Sequence, residues 1–280
     1  MAADVSPDLF GQLSQTPGLT TQIVPGLSQE YVGFNLRNEF LALAPVRQAF
    51  ALAVDRQVLV DRALPKGQSA KPVDSFLRID GQPGYRDLSG GRYEHQDVAA
   101  AKRLLEGAGF VLGADGIYAK DGRRLSLRAR TFSMYPYDSA VQLIQAQVKQ
   151  AGIELRIDNA PLNVLALQLS KGDFDVEVSA YGKNQFGTSN QFRPGNRWGY
   201  TNERPNELVA QSNLQLDAAK RQAMLDGADA DLWVDLPILP LYQQPTLVAV
   251  RNGVSGIQPN PASPPVLFWN AEHWARVAKK

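Results

Sequence analysis

The sequence of 280 residues predicts an α/β protein with a mixed, partly parallel sheet flanked by helices. Helical and strand-like patterns alternate through the middle of the chain, which favours such a sheet. Hydrophobic residues make up 44% of the chain and charged residues 20%, so a substantial core can form. No apolar run approaches the roughly 18–20 residues that a membrane-spanning helix needs.

The amino-terminal quarter predicts short elements separated by proline and glycine. A helix over about 6–14 is followed by a turn and a strand, and residues 31–36 alternate as a second strand. Pro45 opens the next helix, because a proline at the first helical position gives up no hydrogen bond. A further helix covers 56–64. Residues 65–92 contain three prolines and five glycines and therefore predict a long surface connection.

The chain continues to alternate between the two patterns up to about residue 250. A strand pair is predicted around the turn at 120–122, and Asp138 is predicted to cap the helix that follows. In chain order the predicted elements are a helix at 97–108, strands at 117–118 and 125–132, a helix at 138–151, a strand at 153–157, a helix at 162–169, a strand at 174–180, a helical pattern at 206–233, and strands at 236–242 and 247–250.

Charge and residue content exclude several classes of function. Lys and Arg number 29 and Asp and Glu 28, so the net charge of +1 gives no field that would attract nucleic acid. The absence of cysteine removes disulfides, thiolate metal sites and cysteine nucleophiles. Neither His95 nor His273 has a second ligand at metal spacing. Because no phosphate-binding loop or serine elbow occurs, the sequence predicts no enzyme activity, no cofactor and no metal.

One long segment has the composition of a binding site. Residues 179–207 contain no Val, Ile, Leu or Met, yet aromatic residues are spaced between Asn, Gln, Gly, Ser and Thr. A loop of this length is usually functional, and aromatic faces with amide groups suit uncharged polar ligands. The alternative is a loop that packs on its own aromatic side chains. The predicted ligand-binding residues are Tyr181, Lys183, Asn184, Phe186, Asn190, Arg193, Trp198 and Tyr200.

Five motifs follow one another between residues 30 and 245. They are Gly33-Phe34-Asn35-Leu36 with the segment from Pro45 to Arg56, the helix from Ala101 to Phe110, the step from Gln147 to Leu155, Gly172-Asp173-Phe174-Asp175, and Leu236-Pro237-Ile238-Leu239-Pro240-Leu241-Tyr242. In this order and spacing they resemble the motifs of the peptide/nickel/oligosaccharide-type solute-binding proteins of bacterial ABC importers, called family 5.

The resemblance implies a periplasmic-binding-protein-like fold of two hinged lobes. Residues 26–245 would form lobe two, while 1–25 and 246–280 would belong to a largely missing lobe one. The chain would then be the carboxy-terminal portion of a non-catalytic, extracytoplasmic protein that captures a small polar solute and delivers it to an ABC permease. A membrane would be contacted only through a lipid anchor on the missing amino-terminal part.

The resemblance also shows a departure at the ligand. In peptide-binding members, the loop after the strand that matches 174–180 carries an aspartate that pairs with the ligand's α-amino group. Asn184 stands nearest to that position here, and an amide cannot form the charge-assisted bond that an ammonium group favours. An oligopeptide, a sugar and a glycolipid head group therefore remain open as solutes. The resemblance equally permits a transport-inactive regulatory or interaction lipoprotein, as in an actinobacterial subgroup that acts in cell-envelope glycolipid (mannoside) metabolism.

Overall fold

The computed structural model describes residues 2–4, 6–65, 70–182, 191–260 and 268–277, with the backbone alone described at 2–4 and at Leu162. Its strands are β1 (Ala2–Asp4), β2 (Leu19–Phe34), β3 (Val111–Leu112), β4 (Tyr118–Lys120), β5 (Arg123–Arg124), β6 (Ser126–Thr131), β7 (Glu154–Ile157), β8 (Val176–Gly182), β9 (Ile238–Arg251), β10 (Val254–Ser255) and β11 (Ala275–Arg276). Its helices are α1 (Pro7–Ser14), α2 (Ala44–Ala53), α3 (Arg56–Ala63), α4 (Val98–Gly107), α5 (Tyr137–Gln150), α6 (Leu162–Ser170), α7 (Arg204–Leu214), α8 (Ala218–Asp235) and a 3-10 helix (Phe268–His273).

The main sheet has six strands in the order β1-β9-β2-β8-β6-β7. β6 runs parallel to both β7 and β8, whereas the other neighbouring pairs are antiparallel. The predicted α/β class with a mixed sheet is therefore confirmed. None of the helices in the described ranges is both long and apolar enough to cross a bilayer.

β2 and β9 are two long strands that pair with each other over most of their length. The sequence predicted two short strands in place of each, because Pro25 and Pro245 interrupt the alternating patterns. In the structure these two prolines lie opposite each other, and the register shifts between Pro25 and Gln29. Proline has no backbone N–H to donate, and the register shift beside the two prolines accommodates this loss. Each pair of predicted strands is therefore one continuous strand.

The predicted hairpin partner of β4 was wrong. The turn itself is present, with Asp121 and Gly122 both at positive φ, but it joins β4 to the short β5. β6 instead enters the main sheet between β7 and β8, where Leu127 and Ala129 are fully buried. Local turn residues predict where the chain reverses, whereas burial decides which strand becomes the long-range partner.

Two further predictions need correction. α5 begins at Tyr137 after Pro136, so Asp138 lies within the first turn and does not cap the helix. Its carboxylate accepts from the Ser139 amide, where the helix dipole still favours a negative charge. The segment 65–92 is not only a surface connection, because Phe76 is buried and its amide donates to the carboxylate of Asp229 on α8 at 2.8 Å.

A chain of aromatic contacts links α8 to the centre of the sheet. Trp233 of α8 meets Phe76, and Phe76 meets Phe192. Phe192 in turn contacts Trp198, which meets Tyr31 of β2 edge-to-face at 5.7 Å between ring centroids. These rings bury a large apolar area and fix residues 192–198 against β2.

Candidate functional site

A groove of about 460 Å³ lies between the end of β8 and residues 191–198. Its lining combines amide, guanidinium and aromatic side chains with exposed loop backbone. The lining residues are Tyr181, Gln191, Arg193, Pro194, Gly195, Asn196, Arg197 and Trp198. A concave surface with a few polar groups among rings is the usual form of a small-molecule site.

Directly behind the groove lies a fully buried carboxylate, Glu177 of β8. The Trp198 indole nitrogen donates to its Oε1 at 2.5 Å and the Tyr31 hydroxyl donates to the same atom at 3.1 Å. The Arg197 Nε–Oε1 distance is 2.9 Å. Burial raises the pKa of Glu177, and Arg197 together with the two hydrogen bonds opposes that rise.

Arg197 connects this buried carboxylate to the groove. Besides Glu177, its Nη2 donates to the Tyr31 hydroxyl, and the guanidinium lies 5.2 Å from the centroid of the Trp198 ring. Burial opposes the charge on Arg197, but neighbouring Tyr31 and Glu177 more than offset it and raise the pKa of the guanidinium. The side chain is about one-third exposed, so one edge reaches the groove while the other is held in place.

The loop that carries Arg197 is held by side chains that form hydrogen bonds with its backbone. The Asn196 side-chain oxygen accepts from the amides of Trp198 and Tyr200, and its nitrogen donates to the Arg193 and Tyr200 carbonyls. Arg37 donates to the carbonyls of Asn196 and Arg197. A polar side chain that satisfies several backbone groups at once stiffens a loop without secondary structure.

Gly33 of β2 makes the close packing of this cluster possible. A Cβ atom at this position would overlap the Trp198 indole nitrogen and lie 2.8 Å from Glu177 Cγ. Any larger residue would therefore push the indole and the carboxylate apart. This glycine belongs to the first of the five motifs, and its role here is close approach rather than unusual backbone geometry.

The structure brings some of the predicted ligand-binding residues together and separates others. Tyr181, Arg193 and Trp198 line the groove, although Trp198 is only 3% exposed. Tyr200 is equally buried, is not part of the lining, and donates its hydroxyl to Asp235 at 2.6 Å. The side chains of Trp198 and Tyr200 are therefore mostly packed inside the protein, as in the alternative of a loop that packs on its own aromatic side chains. Lys183, Asn184, Phe186 and Asn190 lie outside the described residues.

Gln191, Asn196 and Arg197 also line the groove, and Glu177 lies behind them, but none of the four was predicted from the sequence. One signal was present for Glu177: it stands between Val176 and Val178 in a strand that is buried on both faces. An acidic residue at such a position needs a specific partner.

The two arginines of the first motif, Arg47 and Arg56, contact the core of the fold and do not line the groove. Arg47 is buried and donates to four backbone carbonyls, among them those of Leu41 and Asp235. Arg56 is also buried, donates to the carbonyls of Tyr93, Val73 and Pro240, and pairs with Asp74. Within the described ranges, no group of three or more acidic or histidine side chains could hold a metal ion.

Comparison with known proteins gives consistent matches. The family described as "Bacterial extracellular solute-binding proteins, family 5 Middle" matches residues 1–202. The oligopeptide-binding protein AppA of Bacillus subtilis (strain 168) is 26% identical over 260 residues, which is 89% of this chain and 47% of AppA. The chain thus spans about half the length of the curated relatives it matches.

Two solved structures have the same fold. AppA from Bacillus subtilis in complex with a nonapeptide aligns with a TM-score of 0.82 at 21% identity, covering 99% of this chain and 56% of AppA. The periplasmic EDTA-binding protein EppA aligns with a TM-score of 0.87 at 21% identity, covering 99% of this chain and 54% of EppA. The expected periplasmic-binding-protein-like fold is therefore confirmed.

Proposed function

The chain belongs to the bacterial extracellular solute-binding proteins of family 5, and from this membership we propose that it captures a polar, peptide-like solute outside the cytoplasm for an ABC importer. In this role it is not an enzyme. It holds the solute and passes it on to an ABC permease, and the groove lined by Tyr181 and residues 191–198 forms one wall of the binding site.

The observation that carries the proposal is the contrast between the groove and its support. Polar donors and an aromatic edge face the groove, while Tyr31, Trp198 and Arg197 converge behind them on Oε1 of the buried Glu177. Binding is strengthened when the groups that contact a ligand are fixed in advance, because less conformational freedom is lost on association. A loop without such support would bind a solute more weakly.

The nature of the solute is supported by the relatives. AppA is described as oligopeptide-binding and EppA as EDTA-binding, so both relatives hold polar molecules rich in carbonyl or carboxylate oxygens. Guanidinium and amide donors such as Arg193, Arg197 and Gln191 suit such oxygens. We extend this chemistry to the present chain and propose a peptide-like solute ahead of a neutral sugar.

We also propose a hinge at the irregular part of the β2–β9 ladder. Residues 19–25 pair regularly with 245–251, and the register then shifts between Pro25 and Gln29. Of the boundaries proposed from the sequence, 25/26 falls at this shift and 245/246 lies directly beside it. Residues 26–245 would move as lobe two, with 1–25 and 246–280 belonging to the other lobe; hinge motions of this kind use a few residues at element ends.

The test is a ligand screen by thermal unfolding, on the recombinant chain and on the protein isolated from its natural host. The panel contains peptides of three to nine residues, oligosaccharides, glycolipid head groups and metal chelates. A ligand at 100 times its dissociation constant should raise the unfolding free energy by about 2.7 kcal/mol. Stabilisation by peptides supports the proposal, stabilisation by sugars alone would redirect it, and no stabilisation of the natural protein by any class contradicts it.

A further inference from the structure

Among the described residues, two guanidinium groups line the groove and no acidic side chain belongs to its lining. Arg193 is exposed and forms no ion pair with a residue in the described ranges. Arg197 is paired with Glu177, which lies behind the lining. Even with Glu177 ionised, the described lining residues keep one uncompensated positive charge, so their local field favours an anion.

The orientation of Arg197 makes this charge directional. Its Nε and Nη2 atoms face Glu177 and Tyr31, whereas Nη1 has no hydrogen-bond acceptor among the described residues. The Trp198 ring and the buried carboxylate prevent the guanidinium from rotating freely. A planar fork held on one edge presents two N–H groups on the other, which is the geometry that binds carboxylates.

Arg37, a third guanidinium nearby, does not join this pair. It donates to the carbonyls of Asn196 and Arg197 and packs beneath Gly199. It is not part of the groove lining. Its role is to hold the loop that carries Arg197. Among the described lining residues, the positive charge available to a ligand comes from Arg193 and Arg197.

We propose that Arg197 and Arg193 form a carboxylate subsite, so that the captured solute is recognised through an acidic end such as the carboxyl terminus of a peptide. This inference rests on the proposed function and narrows it from polar solutes to carboxylate-bearing ones. Arg197 supplies the fixed fork, and Arg193 supplies an adaptable second charge at the rim.

The first arm of the test compares acids with matched neutral analogues. The probes are a hexapeptide library without Asp or Glu, its C-terminal amide counterpart, uronic-acid-terminated oligosaccharides and their methyl esters. Thermal unfolding identifies binders, and calorimetry gives their dissociation constants. We expect the acid of a pair to bind about tenfold to a hundredfold more tightly than its analogue, as for the loss of a charge-assisted hydrogen bond.

The second arm changes the protein. Arg193→Ala should weaken the binding of the acid about tenfold and leave that of its neutral analogue unchanged. Arg197→Ala combined with Glu177→Gln removes the fork without leaving a buried charge, and it should reduce the preference for the acid further. Arg103→Ala, an exposed arginine on α4, is the matched control and should change neither dissociation constant.

The outcomes separate the two proposals. Equal affinity for acids and neutral analogues overturns the carboxylate subsite and leaves solute capture standing. Variants that weaken both members of a pair equally also overturn it, because that pattern indicates lost structure. If no member of any pair binds, the subsite is overturned, and solute capture is then decided by the wider panel of glycolipid head groups and metal chelates. A preference for acids that Arg193→Ala reduces establishes the subsite.

Discussion

Among the described residues, a buried carboxylate lies on each face of the sheet at strand β2, and the two carboxylates have different surroundings. Glu177 lies on the face that carries Tyr31, and Glu30 belongs to the opposite face. Glu177 has a guanidinium partner in Arg197. Among the described residues Glu30 accepts only from neutral groups, the Tyr242 hydroxyl at 2.7 Å and the Gln244 amide at 3.2 Å.

The comparison shows that one type of residue can serve two purposes in one sheet. Burial raises the pKa of both carboxyls, and for Glu30 it reaches about 7 because no cation offsets the lost hydration. Three side chains converge on Glu177, and one of them is a groove arginine that this contact fixes in position. Glu30 has a pKa near neutral pH, and it lies beside the register shift where we propose the hinge.

Removing the cation from the groove face should have the largest effect. Arg197→Ala leaves Glu177 buried without its partner, and we expect the unfolding free energy at pH 8 to fall by about 3–5 kcal/mol. Urea denaturation measures the change. Adding Glu177→Gln to this variant should restore most of the stability, and Arg103→Ala should have almost no effect. A loss below about 1 kcal/mol would show that the pair contributes little.

The two carboxylates also mark the limit of what sequence can reveal. Helix α4, the turn at Asp121 and strand β7 follow from local patterns, because spacing and turn residues act over a few positions. The partner of Glu177 is twenty positions further along the chain, in a loop whose course depends on Asn196 and Arg37. No local signal specifies such a contact.

The predicted binding segment illustrates the same limit. Its composition predicts a ligand-binding site, because a long segment with this composition is usually functional, and three of the eight predicted residues line the groove. Composition could not show that Trp198 turns its nitrogen inward to Glu177, or that Tyr200 bonds to Asp235. The same residue types supply both support and lining, and only packing separates them.

The second prediction concerns the uncompensated carboxyl on the other face. In the unfolded chain Glu30 has its ordinary pKa near 4.5, and in the fold about 7. The folded state therefore holds a proton that the unfolded state has already released, and stability falls as pH rises from about 4.5 to 7. Glu30→Gln cannot ionise, so at pH 8 we expect its unfolding free energy to exceed that of the unchanged protein by about 3 kcal/mol.

Urea denaturation between pH 4 and pH 8.5 measures this difference. The curve for Glu30→Gln should lack the fall that Glu30 causes, and the two proteins should converge near pH 4. The matched control is Glu207→Gln on α7, an exposed position that should leave the pH dependence unchanged. Parallel curves for Glu30→Gln and the unchanged protein would mean that Glu30 ionises normally in the fold.

The third and smallest expected effect tests how tightly the groove face is packed. Gly33→Ala places a methyl group 2.8 Å from Glu177 Cγ and against the Trp198 indole, so both must move. Because overpacking of a dense site typically costs 1–3 kcal/mol, we expect a loss of about 2 kcal/mol by urea denaturation. Gly11→Ala, where a Cβ meets nothing within 4 Å, is the control and should not destabilise. If Gly33→Ala were equally harmless, the cluster behind the groove would be loose, and Arg197 would lose the fixed orientation on which the carboxylate subsite depends.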